Sequence, residues 1–334
     1  MNLETEYLGL KLESPLMAGA SPLADTLDSV RRLEDAGASA IVMRSLFEEQ
    51  LEGELDAVTS IESHENSFPE AMTYMPSAKE FVFGPDEYLE HIGRIKAAVA
   101  LPVVASLNGI TAAGWLQHAK LIEQAGADAL ELNVYYLATD PGEGSAAVER
   151  RTVDIVRAVK AAVRIPVAVK LSPFFSALPH FARELEQAGA NAIVLFNRFY
   201  QPDIDAVNLE AAPTLHLSDP SELLLRLRWL AIVKPGVGIP LAASGGVHSG
   251  LDAVKAVMAG ASVVQVVSAL LMKGPEHLAF LRSEMERWMQ ENEYTSLRQM
   301  LGNMSLAKCP DPSAFSRANY MRILQSWRAA RESA

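Results

Sequence analysis

Residues 185–197 read LEQAGANAIVLFN, and the phrase recurs as LEDAGASAIVMRS at 33–45, IEQAGADALELNV at 122–134 and, abridged, VMAGASVVQVVS at 257–268. Each copy closes a helix, turns at Ala-Gly and enters an apolar strand. Glycine suits the left-handed position that stops a helix, and the small residue after it lets strand and helix pack closely. A second phrase alternates with the first: SPLMAGAS at 14–21, LPVVASLNG at 101–109, IPVAVKLSP at 165–173 and IPLAASGGV at 239–247. Here proline opens the strand, where its missing N–H costs little.

The alternation predicts strands near 15–21, 40–45, 102–108, 129–134, 166–172, 192–197, 240–246 and 263–268. Between them, stretches such as DSVRRLEDAG, AAGWLQHAKLIEQAG and RRTVDIVRAVKAAV repeat apolar residues at the helical period. Strands apolar on both faces and joined by helices belong to parallel sheets. Eight of them predict an α/β fold of the (β/α)8 TIM-barrel type. The competing doubly wound sheet lacks its GxGxxG opening after the first strand. The barrel is expected over residues 1–302, with a C-terminal helical extension at 303–334. Residues 46–88 and 198–226 break the alternation. Both leave C-terminal strand ends, so they are expected as long loops over the face where barrels keep their active sites.

Composition narrows the function. Of 334 residues, 49% are hydrophobic and 21% charged, with a net charge of −12. No basic run exceeds two residues, which argues against nucleic acid or an anionic membrane as partner. The N-terminus has no signal-like apolar core, and no apolar stretch approaches the ~20 residues of a membrane span, so a cytoplasmic protein is expected. Cys309 is the only cysteine, which excludes an intrachain disulfide or a thiolate cage. No metal site is expected.

In a barrel, the polar residues closing the strands face one cavity: Ser21, Arg44-Ser45, Asn108, Asn133, Lys170, Asn197, Ser244-Gly245-Gly246 and Ser268. Gly245-Gly246 and Ser268 follow strands 7 and 8, where barrels bind phosphate, and the helix beginning near Ser249 is expected to add free N–H groups. Lys170, inside the barrel, must be paired or shifted in pKa. It could form a Schiff base or stabilise an anion on an electron-poor ring, with Arg44 as a second positive charge. Asn108, Asn133 and Asn197 both donate and accept, as a flavin or pyrimidine edge requires.

The ordered set ASP (20–22), MRS (43–45), SLNG (106–109), ELN (131–133), VKLSP (169–173), FN (196–197), SGGV (244–247) and QVVSAL (265–270) resembles the dihydroorotate dehydrogenases, closest to the soluble class 1 enzymes. The resemblance runs from about residue 2 to residue 302. It implies an FMN-dependent oxidoreductase of pyrimidine biosynthesis, oxidising dihydroorotate to orotate by hydride transfer to flavin N5. It also implies a soluble electron acceptor and a homodimer. Carried over by position, Ala20 and Ser21 contact the flavin, Asn108 lies near it, and Asn133 touches flavin and substrate. Lys170 stabilises the reduced ring, while Ser244, Gly245, Gly246 and Ser268 hold the phosphate. Arg44 and Asn197 hold the substrate.

The chain departs from the family pattern in three places. Class 1 enzymes follow Asn-Leu-Ser with Cys-Pro-Asn, and the cysteine is their base; here Asn133 leads into Val-Tyr-Tyr-Leu-Ala and Tyr136 takes that position. The family's strand-2 lysine is Arg44, and its Leu-Pro-Asn substrate loop has no counterpart. A phenol is a weak base at neutral pH unless a nearby cation lowers its pKa. Tyr136 is therefore read either as the proton-transfer residue or, with Tyr135, as pocket lining; Tyr200, His64 and His216 are weaker candidates. The alternatives are an FMN oxidoreductase of another unsaturated carbonyl or cyclic amide, a Schiff-base lyase using Lys170, and a non-catalytic flavin or electron-transfer subunit.

Overall fold

The computed structural model describes residues 1–47, 84–108, 112–134, 136–198, 202–212, 215–315 and 319–326. Its strands are β1 (Thr5–Tyr7), β2 (Leu10–Leu12), β3 (Leu16–Ala18), β4 (Ile41–Phe47), β5 (Val103–Asn108), β6 (Ala129–Asn133), β7 (Val167–Leu171), β8 (Ala192–Leu195), β9 (Asp203–Asp205), β10 (Glu210–Ala212), β11 (Leu241–Ser244) and β12 (Ala261–Val266). Strands β3–β8, β11 and β12 are parallel and close into one barrel, with β12 beside β3. The TIM-barrel expectation holds.

The two sequence phrases interlock in the ladder. Each strand-opening proline offers its carbonyl to a backbone N–H of a neighbouring Ala-Gly strand: Pro15 to Val264 (2.7 Å), Pro102 to Ile41 (3.0 Å), Pro166 to Leu130 (2.9 Å) and Pro240 to Ile193 (3.1 Å). The polar residue after the Ala-Gly turn returns the favour. Asp128 accepts from the Val103 N–H at 2.7 Å, and Asn191 from Val167 at 2.9 Å. The turn glycines Gly37, Gly126, Gly189 and Gly260 all have positive φ. The alternation is thus a hydrogen-bonding code for barrel register as well as a helix-stop signal.

Residues on the strands sort by parity. Val103, Ala105, Leu107, Leu130, Leu132, Val167, Val169 and Leu171 pack outward in the large core shared with the helices. Met17, Val42, Val104, Ala129, Ala168, Val194, Ala242 and Val263 form a separate inner cluster, sealed below by Tyr7, Leu8 and Leu12 of the β1–β2 hairpin. Neither that hairpin nor the short β9–β10 hairpin within the 198–226 segment is anticipated by the sequence, because three-residue strands carry too little alternation. The predicted strands also overrun at their C-terminal ends. Ladder pairing stops at Ala18, Leu195 and Ser244, and the following residues turn out over the mouth.

Candidate active site at the barrel mouth

Two residues above the apolar floor, the inward positions turn polar. On β6 and β7 the inner face runs Ala129-Glu131-Asn133 and Ala168-Lys170-Ser172. Lys170 Nζ donates to Glu131 Oε1 at 3.0 Å and to Gln265 Oε1 at 3.1 Å, and Gln265 Nε2 donates to the other Glu131 oxygen. The Lys170 and Glu131 side chains are 6% and 1% exposed. The expected buried lysine is therefore a paired ammonium, braced from β6 and from β12 across the barrel. A lysine held charged by a carboxylate is not a free amine nucleophile, so the Schiff-base alternative is set aside. The carboxylate's reach extends to two neighbouring phenols. Burial, reinforced by the charge of Glu131, pushes the pKa of both Tyr7 and Tyr88 upward.

Above this triad, Asn108 and Asn133 close β5 and β6 as register partners and are nearly buried. Asn133 Nδ2 donates to Ser45 Oγ at 3.3 Å, and Ser45 shares a 2.7 Å hydrogen bond with Ser106. A break in the β4–β5 register between Val42 and Ser45 accompanies this contact; there the Tyr88 hydroxyl takes the Ser106 N–H (3.0 Å) and donates to its carbonyl (3.1 Å). Asn133 Oδ1 is buried and has no hydrogen-bond partner among the described residues. A buried amide oxygen without a partner is the kind of acceptor that a ring N–H would satisfy. The donor set and this orphaned acceptor fit a flavin.

The rest of the expected set lies around the rim. Ala20 is half-buried and Ser21 buried in the turn after β3. Arg44 projects from β4 and is held by Asp25, with Nη2 at 2.6 Å from Oδ2. Asn197 follows β8 half-buried, its N–H on the Leu171 carbonyl at 2.7 Å. His216 is exposed, and Cys309 is buried in the C-terminal segment away from the mouth. Tyr135, Tyr200 and His64 lie outside the described residues.

On the β11–β12 side, Gly245 and Gly246 turn with φ of +93° and +79°. A Cβ on Gly246 would stand 2.4 Å from the Leu223 nitrogen, and one on Gly245 would stand 2.8 Å from Arg226 Nη2. The glycines are required by the helix Leu223–Val233 that packs on them. Arg226 from that helix is buried, with Nε on the Ser244 carbonyl at 2.9 Å. Burial lowers its pKa, and the Glu222 carboxylate partly offsets this. Ser218 completes the cradle: its hydroxyl accepts from the Gly246 N–H (3.2 Å) and donates to Ser268 Oγ (2.8 Å). The helix after Ser249 does not contribute as expected. Asp252 accepts the His248 and Ser249 N–H groups at 3.1 and 2.9 Å, and Glu284 accepts that of Gly250 at 2.7 Å. With carboxylates already there, this helix start has no free charge complement to offer an anion.

Tyr136 lies beyond β6, half-buried. Its hydroxyl donates to Glu143 Oε2 at 2.6 Å, while Arg151 pairs with the other Glu143 oxygen. The Arg151 guanidinium lies over the Tyr136 ring, 4.4 Å from its centroid. Tyr136 and Glu143 line a cavity of about 500 Å³ with Ser172, Phe174, Phe175 and Ser176. Sequence reasoning missed Glu131, Gln265, Ser218, Arg226, Glu143 and Arg151. Only Glu131 and Gln265 left a readable trace, as lone polar residues inside apolar strands.

A sequence profile described as Dihydroorotate dehydrogenase matches residues 2–289. The chain belongs to the dihydroorotate dehydrogenase family. It is 28% identical over 311 residues to the "Dihydroorotate dehydrogenase B (NAD(+)), catalytic subunit" of Thermoplasma acidophilum, covering 90% of this chain and 98% of that one. It is 31% identical to the protein of the same name from Methanocella arvoryzae, over 78% of this chain and 85% of that one. The "Dihydroorotate dehydrogenase A (fumarate)" of Lacticaseibacillus paracasei is 35% identical over 51% of this chain and 60% of its own. Dihydroorotate dehydrogenases are oxidoreductases acting on CH–CH groups.

Proposed function

We propose that this chain is an FMN-dependent oxidoreductase that converts dihydroorotate to orotate. The observation that carries the reading is the Lys170 ammonium, fixed by Glu131 and Gln265 beneath the unsatisfied Asn133 amide oxygen. The bound flavin supplies the hydride acceptor. Asn108 and Asn133 read its ring edge, and Lys170 offers positive charge where negative charge accumulates on reduction. Ala20 and Ser21 flank the ring. Ser244, Gly245, Gly246 and Ser268 hold the phosphate, with the Ser218 hydroxyl beside them and Arg226 behind.

Arg44 and Asn197 orient the substrate from opposite sides of the mouth, Arg44 steadied by Asp25. Tyr136 takes the carbon-bound proton. We place the protein in the cytoplasm as a homodimer passing electrons to a soluble acceptor. Family resemblance supports the dimer and the acceptor. Among the described residues, no helix is long and apolar enough to cross a membrane.

The test is an absorption spectrum of purified protein followed by anaerobic addition of dihydroorotate. A yellow protein that bleaches supports both cofactor and substrate. A protein that takes up no flavin when offered it overturns the cofactor; a flavoprotein that stays yellow overturns the substrate.

A further inference from the structure

We propose that Glu143 is the proton acceptor behind Tyr136, and that Arg151 is the positioning residue that keeps the pair poised; this rests on the reading of Tyr136 as the proton-transfer group. The phenol already points its proton at Glu143 Oε2, 2.6 Å away. The opposite oxygen of that carboxylate is neutralised by Arg151, whose guanidinium also covers the ring face. Arg151 thus sets one positive charge against both the phenol ring and the carboxylate that would receive its proton. Both pieces that a tyrosine base needs are therefore present. The pKa of Arg151 is raised, chiefly by its interaction with Tyr136 and further by the Glu143 carboxylate.

Placement supports a working role over a surface ornament. Glu143 and Tyr136 share the cavity with Ser172, the residue that follows β7 two positions beyond Lys170. The Glu143 side chain is 11% exposed, against 41% for Arg151, so a proton on Glu143 has a short way out past the guanidinium. Glu149 is the other titratable group lining this cavity, on the helix Ser145–Ala162 that also carries Arg151.

In the step, the substrate C–H bond breaks as its proton joins the Tyr136 oxygen, and the phenol's own proton joins Glu143 Oε2. Tyr136 ends neutral and Glu143 ends protonated, then releases that proton to water. The electron pair of the broken C–H bond closes the new C=C bond, and the neighbouring carbon loses hydride to the flavin.

Two measurements test this. In protein labelled with 13Cζ-tyrosine, Tyr136→Phe identifies the Tyr136 signal. Glu143→Gln should then move its titration to lower pH and Arg151→Met to higher pH, each by ~1 unit, with or without bound flavin. In anaerobic flavin reduction, Tyr136→Phe should slow the rate by ~10²–10⁴. Glu143→Gln should slow it by about 10² and abolish the fall in rate on acidification, which comes from protonating Glu143. Glu149→Gln should leave that fall in place.

A tyrosine signal indifferent to both substitutions overturns the proposal, as does normal, normally pH-dependent reduction in Glu143→Gln. Normal reduction in Tyr136→Phe overturns the reading beneath it. If dihydroorotate does not reduce wild-type flavin, the substrate assignment falls separately and the labelled tyrosine decides the pair.

Discussion

The β11–β12 rim and the β6 rim of the same mouth are built on different plans. At the first, backbone shape does the work: two left-handed glycines lie flat against one helix, and Ser218 and Ser268 tie the loops together at 2.8 Å. At the second, side chains do it. A tyrosine, a glutamate from the following loop and an arginine from the following helix meet around a cavity. This backbone cradle tolerates little change, because an added Cβ meets the Leu223 main chain at Gly246 and the buried Arg226 at Gly245. Side-chain clusters can be rebuilt one residue at a time. Lys170, Glu131 and Gln265 join the two rims through the barrel interior.

Breaking that tie should have the largest effect. Lys170→Met leaves the Glu131 carboxylate buried without its cation, and loss of one partner from a buried pair costs about 3–5 kcal/mol. Urea unfolding should show that loss, and Lys170→Met with Glu131→Gln should recover most of it. Equal stability of the single and double variants would separate the two rims energetically. On the cradle side, Gly246→Ala combines a left-handed backbone, about 1–2 kcal/mol, with a Cβ forced onto the Leu223 nitrogen, about 1–3 kcal/mol. Thermal denaturation and flavin fluorescence should both register it.

On the side-chain-built half, the two phenols near Glu131 provide a pH test. Because Tyr7 and Tyr88 have raised pKa values in the folded state, the stability they contribute is present below the ordinary phenol value of about 10 and is lost as pH rises beyond it. Tyr88→Phe should therefore lower stability at neutral pH by about 1–3 kcal/mol, through its lost Ser106 contacts, yet flatten the alkaline decline. Melting curves collected across the alkaline range check both parts. Ser218→Ala should weaken flavin binding about tenfold, the value of roughly one hydrogen bond, without altering the Tyr136 titration. Least of all, His216→Ala should change stability by under about 0.5 kcal/mol and leave flavin affinity unaltered, since that side chain is exposed.

The barrel was legible because two local signals, an Ala-Gly helix stop and a strand-opening proline, alternate along the chain and interlock in space. Strand-end residues were legible for the same reason: once strands are placed, parity decides which side chains point inward. Partners were not. Nothing local says that Gln265 crosses the barrel to Lys170, or that Ser218 in an irregular segment reaches Ser268, 50 residues away. Glu143 and Arg151 stand seven and fifteen residues from Tyr136, yet a loop and a helix intervene and the spacing has no period to read. The helix start near Ser249 was legible as an N-terminus, but its capping box with Asp252 removes the N–H groups that made it attractive.

One arrangement at the barrel's seam bears on how the chain comes off the ribosome. β3 pairs with β4 at a single position but with β12 at three, and Asn2 is clasped between Thr295 and Leu297. The first strand of the barrel is thus held mainly by the last. During translation the cylinder stands open along that edge, its lysine and glutamate awaiting a glutamine not yet made, until β12 has emerged. Truncations that stop short of β12 should therefore yield aggregating chains in place of smaller, soluble ones.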